Sequence, residues 1–182
     1  MSPLPFVIIL LVLDHIAFGG GRVAATLFAL NMGGSALSVG VLLALYAALP
    51  ALLSVAAGRW IDRIGMDRPM LLGSAGVGLS TLVPALFPGW LPLFAISVIG
   101  GVSFMLVNVA AYHAVGELSA PQDRPANFSY VALGFSVSSF IAPILAGVGI
   151  DSFGHRTTFL LLSLFTILPV AGLLLGVVQF PK

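Results

Sequence analysis

Between Arg22 and Arg59, and again between Arg68 and Glu117, the chain carries no Asp, Glu, Lys or Arg. Stretches of that length cannot lie on the surface of a water-soluble domain, which covers itself with polar heads and carries about 25% charged residues. Here 7% of the 182 residues are charged and 59% are hydrophobic. Intrinsic disorder requires the opposite balance, low hydrophobicity with high net charge. A disulfide scaffold is excluded by the absence of cysteine. A nucleic-acid binder needs a basic face, and the net charge is +1 with no basic run. What remains is an all-α, multi-pass membrane protein embedded in a lipid bilayer.

A helix that crosses the hydrocarbon layer uses about 20 apolar residues. The apolar runs predict six: Leu4 to Leu30, Ser38 to Ala57, Pro69 to Phe87, Trp90 to Glu117, Pro125 to Ile150 and Thr157 to Gln179. They form one bundle over residues 1–182 with no soluble domain. The first run is too long for a cleavable signal peptide and lacks a basic start. With a cytoplasmic N-terminus, Arg59, Arg63, Arg68, Arg124 and Lys182 fall inside and Arg156 alone falls outside. That bias places both termini in the cytoplasm and the protein in a cytoplasmic (inner) membrane.

The sequence repeats itself. Gly58 to Gly65 and Gly147 to Gly154, offset by 89 residues, both read G-x-x-I-D-x-x-G and follow the second and fifth runs. Each unit, about 1–89 and about 90–182, holds three spans. Three is odd, so the second unit must lie inverted relative to the first: a 3+3 inverted repeat, a pattern used by transporters.

The segment Gly58-Arg59-Trp60-Ile61-Asp62-Arg63-Ile64-Gly65-Met66-Asp67-Arg68-Pro69 resembles the signature between the second and third helices of the major facilitator superfamily, G-x-x-x-D-R-x-G-x-[RK]-[RK]. Asp67 replaces the first basic position of that pattern. Ala142-Pro143-Ile144-Leu145-Ala146-Gly147 is similar to the Gly-Pro-x-x-Gly-Gly pattern of the antiporter branch, with alanine at two glycine positions. The embedded arginine that many proton-coupled members carry in the fourth helix is absent. The resemblance implies a major-facilitator-like half bundle, the N-terminal six helices of a twelve-helix fold. It also implies a gating role for Gly58, Asp62, Arg63, Gly65 and Arg68. On physical grounds, the two glycines permit close approach and unusual backbone angles in a short turn, and Pro69 suits the first turn of a helix. The arginines face anionic headgroups, and Asp62 can rest against the positive end of a neighbouring helix. A solvated loop that only sets topology is the other reading of these charges.

Ionisable residues within a span are costly and mark candidate sites. Asp14, His15 and Arg22 lie in the first run, with Asp14 near the midplane. Arg22 stands about 12 Å further along and roughly 80° around the helix, so the two cannot pair directly. Gly19-Gly20-Gly21 between them is expected to loosen the helix. Asp14 is a candidate proton or cation site, and Arg22 a candidate anchor for an anionic group on the substrate. The competing reading pairs Asp14 with a basic group on another helix for folding alone. In the fourth run, Asn108 and Tyr112 form one stripe and His113 and Glu117 an adjacent one. The resemblance places Asn108 and Tyr112 on a central cavity. Glu117 and Arg124 lie toward the cytoplasm and are expected to join Asp62 in an ionic cluster.

No metal-ligand spacing, nucleophile elbow or phosphate-binding loop occurs. The expectation is therefore a carrier and not an enzyme, with no cofactor, no metal and a small-molecule substrate. Alternating access needs a second six-helix half. It comes either from a second copy in a homodimer or from a missing C-terminal half, and the start at Met1 and end at Lys182 suit both. A non-transporting membrane scaffold is the third possibility.

Overall fold

The structure, a computed structural model, describes residues 4–177. Lys182 and the Gln179 end of the sixth expected run lie outside the described residues. The helices are α1 (Leu4–Asn31), α2 (Ala36–Ile64), α3 (Asp67–Leu86), α4 (Trp90–Leu118), α5 (Arg124–Leu164) and α6 (Ile167–Leu174). Among the described residues five segments are long and apolar enough to cross a membrane: α1 to α4, and Arg124–Leu174 taken together.

The helix ends follow local chemistry. Ser35 caps α2, its Oγ accepting from the Ser38 N–H at 3.2 Å. Gly65 terminates α2 with φ 84°, a left-handed conformation open to glycine, and its N–H bonds Ile61 O at 2.9 Å. Two boundaries differ from expectation. Helix α2 runs past Ala57 to Ile64, because nothing from Gly58 to Ile64 breaks a helix. The signature therefore begins in the last two turns of α2, turns at Gly65 and Met66, and ends in the first turn of α3.

The second difference lies in α5, Arg124 to Leu164, which is two helices joined at a kink where Gly154 adopts φ 77°, ψ 168°. A straight helix would separate Gly149 from Thr158 by about 13.5 Å. Instead a Cβ placed on Gly149 would lie 2.9 Å from the Thr158 side chain. The chain doubles back at Gly154, and the part beyond it lies alongside the part before. A continuous rod of 51 residues would span about 76 Å, more than twice the hydrocarbon thickness.

Helix α1 is central and packs on α3, α4 and α5; α3 packs on α4, and α2 on α4. Toward one end the core is built from Leu10, Leu11, Ile61, Met70, Val107 and Val131. Toward the other it is built from Ala24, Leu42, Tyr46, Leu93, Phe159 and Leu162. Ala17, Val77 and Phe104 form a smaller cluster of their own. Apolar side chains gain little from leaving lipid, so such helices associate through close van der Waals packing at small residues. A Cβ on Gly73 would lie 2.6 Å from Ser103 O, and one on Gly20 would lie 2.7 Å from Leu162 Cδ2. The triple glycine thus does not loosen α1, which is helical throughout. Gly20 and Gly21 admit Leu162 and Thr81. Gly58 also departs from expectation: it is helical, and nothing lies within 4 Å of its Cβ position, so it makes no close approach within the chain.

Candidate functional site

The middle of α1 places two adjacent polar side chains in different surroundings. Asp14 is fully buried (0% exposed). Ser74, on α3, donates to Asp14 Oδ2 at 2.6 Å. Asp14 Oδ1 is buried without a hydrogen-bond partner, and so is Asn108 Oδ1 on α4. The basic partner considered for Asp14 is absent: among the described residues no ion pair reaches it. The carboxylate is held by one neutral hydroxyl in a place that water does not reach, an environment that strongly penalises a fixed negative charge.

His15 lies between aromatic rings. Its Nδ1 is 2.5 Å from Ser138 Oγ on α5, and its ring stacks on Phe104 at 5.2 Å and meets Phe135 edge-on at 4.6 Å. These contacts belong to a longer run. Tyr46, Phe18, Phe104, His15, Phe135, Tyr112 and Phe128 follow one another with ring centroids 4.4–6.2 Å apart. The run crosses α2, α1, α4 and α5 and joins Tyr112 to His15, two candidates that the sequence left on separate helices. Arg22 is exposed and lines a small recess of about 410 Å³ with Thr26 and Leu43. It makes no ion pair within 4.0 Å among the described residues.

The signature residues meet α4 at a cleft of about 1080 Å³, lined by Asp62, Arg63, Gly65 and Arg68 together with His113, Glu117 and Arg124. His113 Nδ1 is 3.6 Å from Asp62 Oδ1, and His113 Nε2 is 3.1 Å from Glu117 Oε1. Asp62 and Glu117 therefore meet through a histidine and not through the expected Arg124. Arg124 borders it, but neither Arg124, Arg63 nor Arg68 makes an ion pair within 4.0 Å among the described residues. Asn127 Nδ2 donates to Ser119 Oγ at 2.8 Å, tying the start of α5 to the end of α4.

The Major Facilitator Superfamily sequence profile matches residues 7–181. The chain belongs to the major facilitator superfamily. Curated relatives agree with that membership. Multidrug resistance protein 2 of Bacillus subtilis (strain 168) is 31% identical over 71% of this chain and 32% of its own length. A probable vesicular acetylcholine transporter-B of Danio rerio is 28% identical over 70% of this chain and 26% of its own. The vesicular acetylcholine transporter of Tetronarce californica is 29% identical over 79% and 28%. The chain thus spans about a quarter to a third of the relatives it matches. Among solved structures, the peptide transporter POT in complex with sulfate superposes with a TM-score of 0.85, at 18% identity, over 96% of this chain and 37% of that one. A POT family transporter in complex with a thioalcohol-conjugated peptide superposes at 0.83, with 21% identity, over 94% and 37%. At these identities the superpositions speak to the superfamily fold alone.

The sequence did not single out Ser74, Ser138, Phe104 or Phe135. Serine and phenylalanine within an apolar helix carry no signal of their own, and these four matter only through neighbours on other helices. His113 was placed beside Glu117 on one stripe, but nothing in its spacing brings it to Asp62.

Proposed function

We propose that this chain is one half of an ion-coupled carrier that moves a small solute across a cytoplasmic membrane by alternating access. The observation that carries the reading is Asp14: a fully buried carboxylate with one hydroxyl donor and one unpartnered oxygen, in a chain of a transporter family. A group in that position favours taking up a proton or a cation and releasing it when the cavity opens to water. The aromatic run past His15 and Tyr112, with Asn108 on the same helix as Tyr112, forms the solute-facing wall. A cationic group is met there by ring faces, and an anionic group by Arg22, which lines a recess of its own. Two of the relatives are named for acetylcholine, a cation, which favours a solute with a cationic group.

In this reading the bundle is six spans in a 3+3 inverted repeat, with both termini cytoplasmic. Three observations support it. Gly65 and Gly154, equivalent in the repeat, share a left-handed conformation, φ 84°, ψ 178° and φ 77°, ψ 168°. Helix α2 packs on α4 as α5 packs on α1. Gly101 receives α2 beside Pro50, and Gly20 receives α5 at Ala142 O, beside Pro143.

A second bundle supplies the opposite wall, either a second copy across a two-fold axis or a C-terminal half on a longer chain. The longer-chain alternative is favoured by the length of the matched relatives, and alone this half would then transport nothing. The test is uptake by the purified chain in liposomes, across a panel of cationic and zwitterionic solutes, with and without a proton gradient. Gradient-dependent uptake supports the half-size carrier, and none by a folded chain supports the longer-chain reading.

A further inference from the structure

At the cytoplasmic cleft His113 stands between two carboxylates, with Nδ1 3.6 Å from Asp62 Oδ1 and Nε2 3.1 Å from Glu117 Oε1. An ionised carboxylate only accepts hydrogen bonds. A neutral imidazole has a single N–H, so it serves one of these acids and turns a lone pair toward the other. At 3.6 Å the Asp62 arm is an ionic contact and not a hydrogen bond, so only the imidazolium attracts both acids. The two ring nitrogens point in different directions, and among the described residues no three His, Cys, Asp or Glu side chains converge as metal ligands. The arrangement suits a proton and not a metal.

The two arms differ. Glu117 is one turn along α4 from His113 and stays beside it in any state of the bundle. Asp62 belongs to α2, across the cleft. The charged groups around the ring are Asp62 and Arg63 at the end of α2, Asp67 and Arg68 at the start of α3, Glu117 on α4 and Arg124 on α5. None of the arginines lies within 4.0 Å of either acid. The protonated ring is therefore the one cation in direct contact with Asp62 among the described residues.

The geometry points to His113 as a proton-operated clasp that fastens Asp62, and with it the cytoplasmic end of α2, to α4. The inference rests on the gating reading of Asp62 and names what regulates it. With His113 charged, Asp62 is held inside its own bundle and is withdrawn from the opposite half. With His113 neutral, one nitrogen repels or ignores Asp62, which is then free to dock across the interface. Cytoplasmic acidification thus favours the inward-open state. Histidine is the side chain whose charge changes between about pH 5 and pH 8, so the clasp operates in the range a cell can reach.

The chain has no cysteine, so spin labels can be placed at will. With labels on Trp60→Cys and Ala120→Cys, both exposed positions, the full chain in lipid nanodiscs is measured without substrate or gradient at about pH 5 and about pH 8. The expected result is a short, narrow distance at the lower pH and a longer, broader one at the higher. His113→Gln, which bonds but never charges, should show the broad distribution at both. His113→Lys should show the short one at both. As a second measurement with the same labels, Asp62→Asn, which removes the charge the ring would hold, should show the broad distribution at both. A pH-independent distance in the parent, or an unchanged pH response in His113→Gln or Asp62→Asn, overturns the clasp. Absent solute uptake with the pH-dependent distance intact counts against the carrier reading alone.

Discussion

Ser74 on α3 donates a 2.6 Å hydrogen bond to Asp14 Oδ2 on α1, while Asp14 Oδ1 has no partner in a site with no solvent exposure. The pair joins the first and third helices at the level where the central cavity of a carrier is expected. Asp14→Asn removes the exchangeable proton but keeps the shape and the Ser74 contact. It should abolish gradient-driven uptake in liposomes while leaving membrane expression intact. Uptake at the parent rate would make Asp14 a packing residue. Ser74→Ala removes the donor alone and should lower thermal stability in detergent by about 1–3 kcal/mol, with an altered pH profile of uptake.

The glycines separate packing from gating. Gly73→Ala should destabilise by about 1–3 kcal/mol, because the new methyl meets Ser103 O at 2.6 Å and Val107 N at 2.9 Å, backbone atoms that cannot swing aside. Gly58→Ala meets nothing within 4 Å and should be neutral or stabilising by up to about 1 kcal/mol through helix propensity. Thermal unfolding of both variants in the same detergent checks the contrast. A loss of uptake in Gly58→Ala without a loss of stability would place Gly58 against the opposite half.

The cysteine-free background permits a direct topology test. A single cysteine at Lys182 and another at Gln122 should react with a membrane-impermeant reagent from the cytoplasmic face, and one at Gly33 from the outer face. Labelling at Lys182 from the outside alone would defeat the cytoplasmic placement of the termini.

The homodimer predicts a contact that one chain cannot make with itself. Asp62 of one copy should dock at the start of α5 in the partner, at the positive end of the helix dipole. Paired cysteines at Asp62 and Asn127 should therefore cross-link between chains in the outward-facing state and separate when the cytoplasmic side opens. A cross-link within one chain, or none under any solute condition, would count against the homodimer and favour a half that belongs to a longer carrier.

What the sequence determined by itself is the class and the position of the signature. These depend on local quantities: the hydropathy of a run long enough to cross a bilayer, and the residue types at a turn. The left-handed Gly65 was legible for that reason, since a short turn between two helices needs a residue without a Cβ. The tertiary structure decided everything that lies between helices. Gly20 and Gly21 read locally as a weak point in α1, yet they are where α5 and α3 come close, because in lipid the gain from tight contact outweighs the helix propensity of glycine. Asp14 was visible as a costly group, but its donor on α3 was not, since a serine in an apolar helix has many possible faces to bond. His113 and Asp62 are 51 positions apart in the chain and 3.6 Å apart in space. Only the packing of α2 on α4 brings them together, and no spacing rule within a single helix encodes that distance.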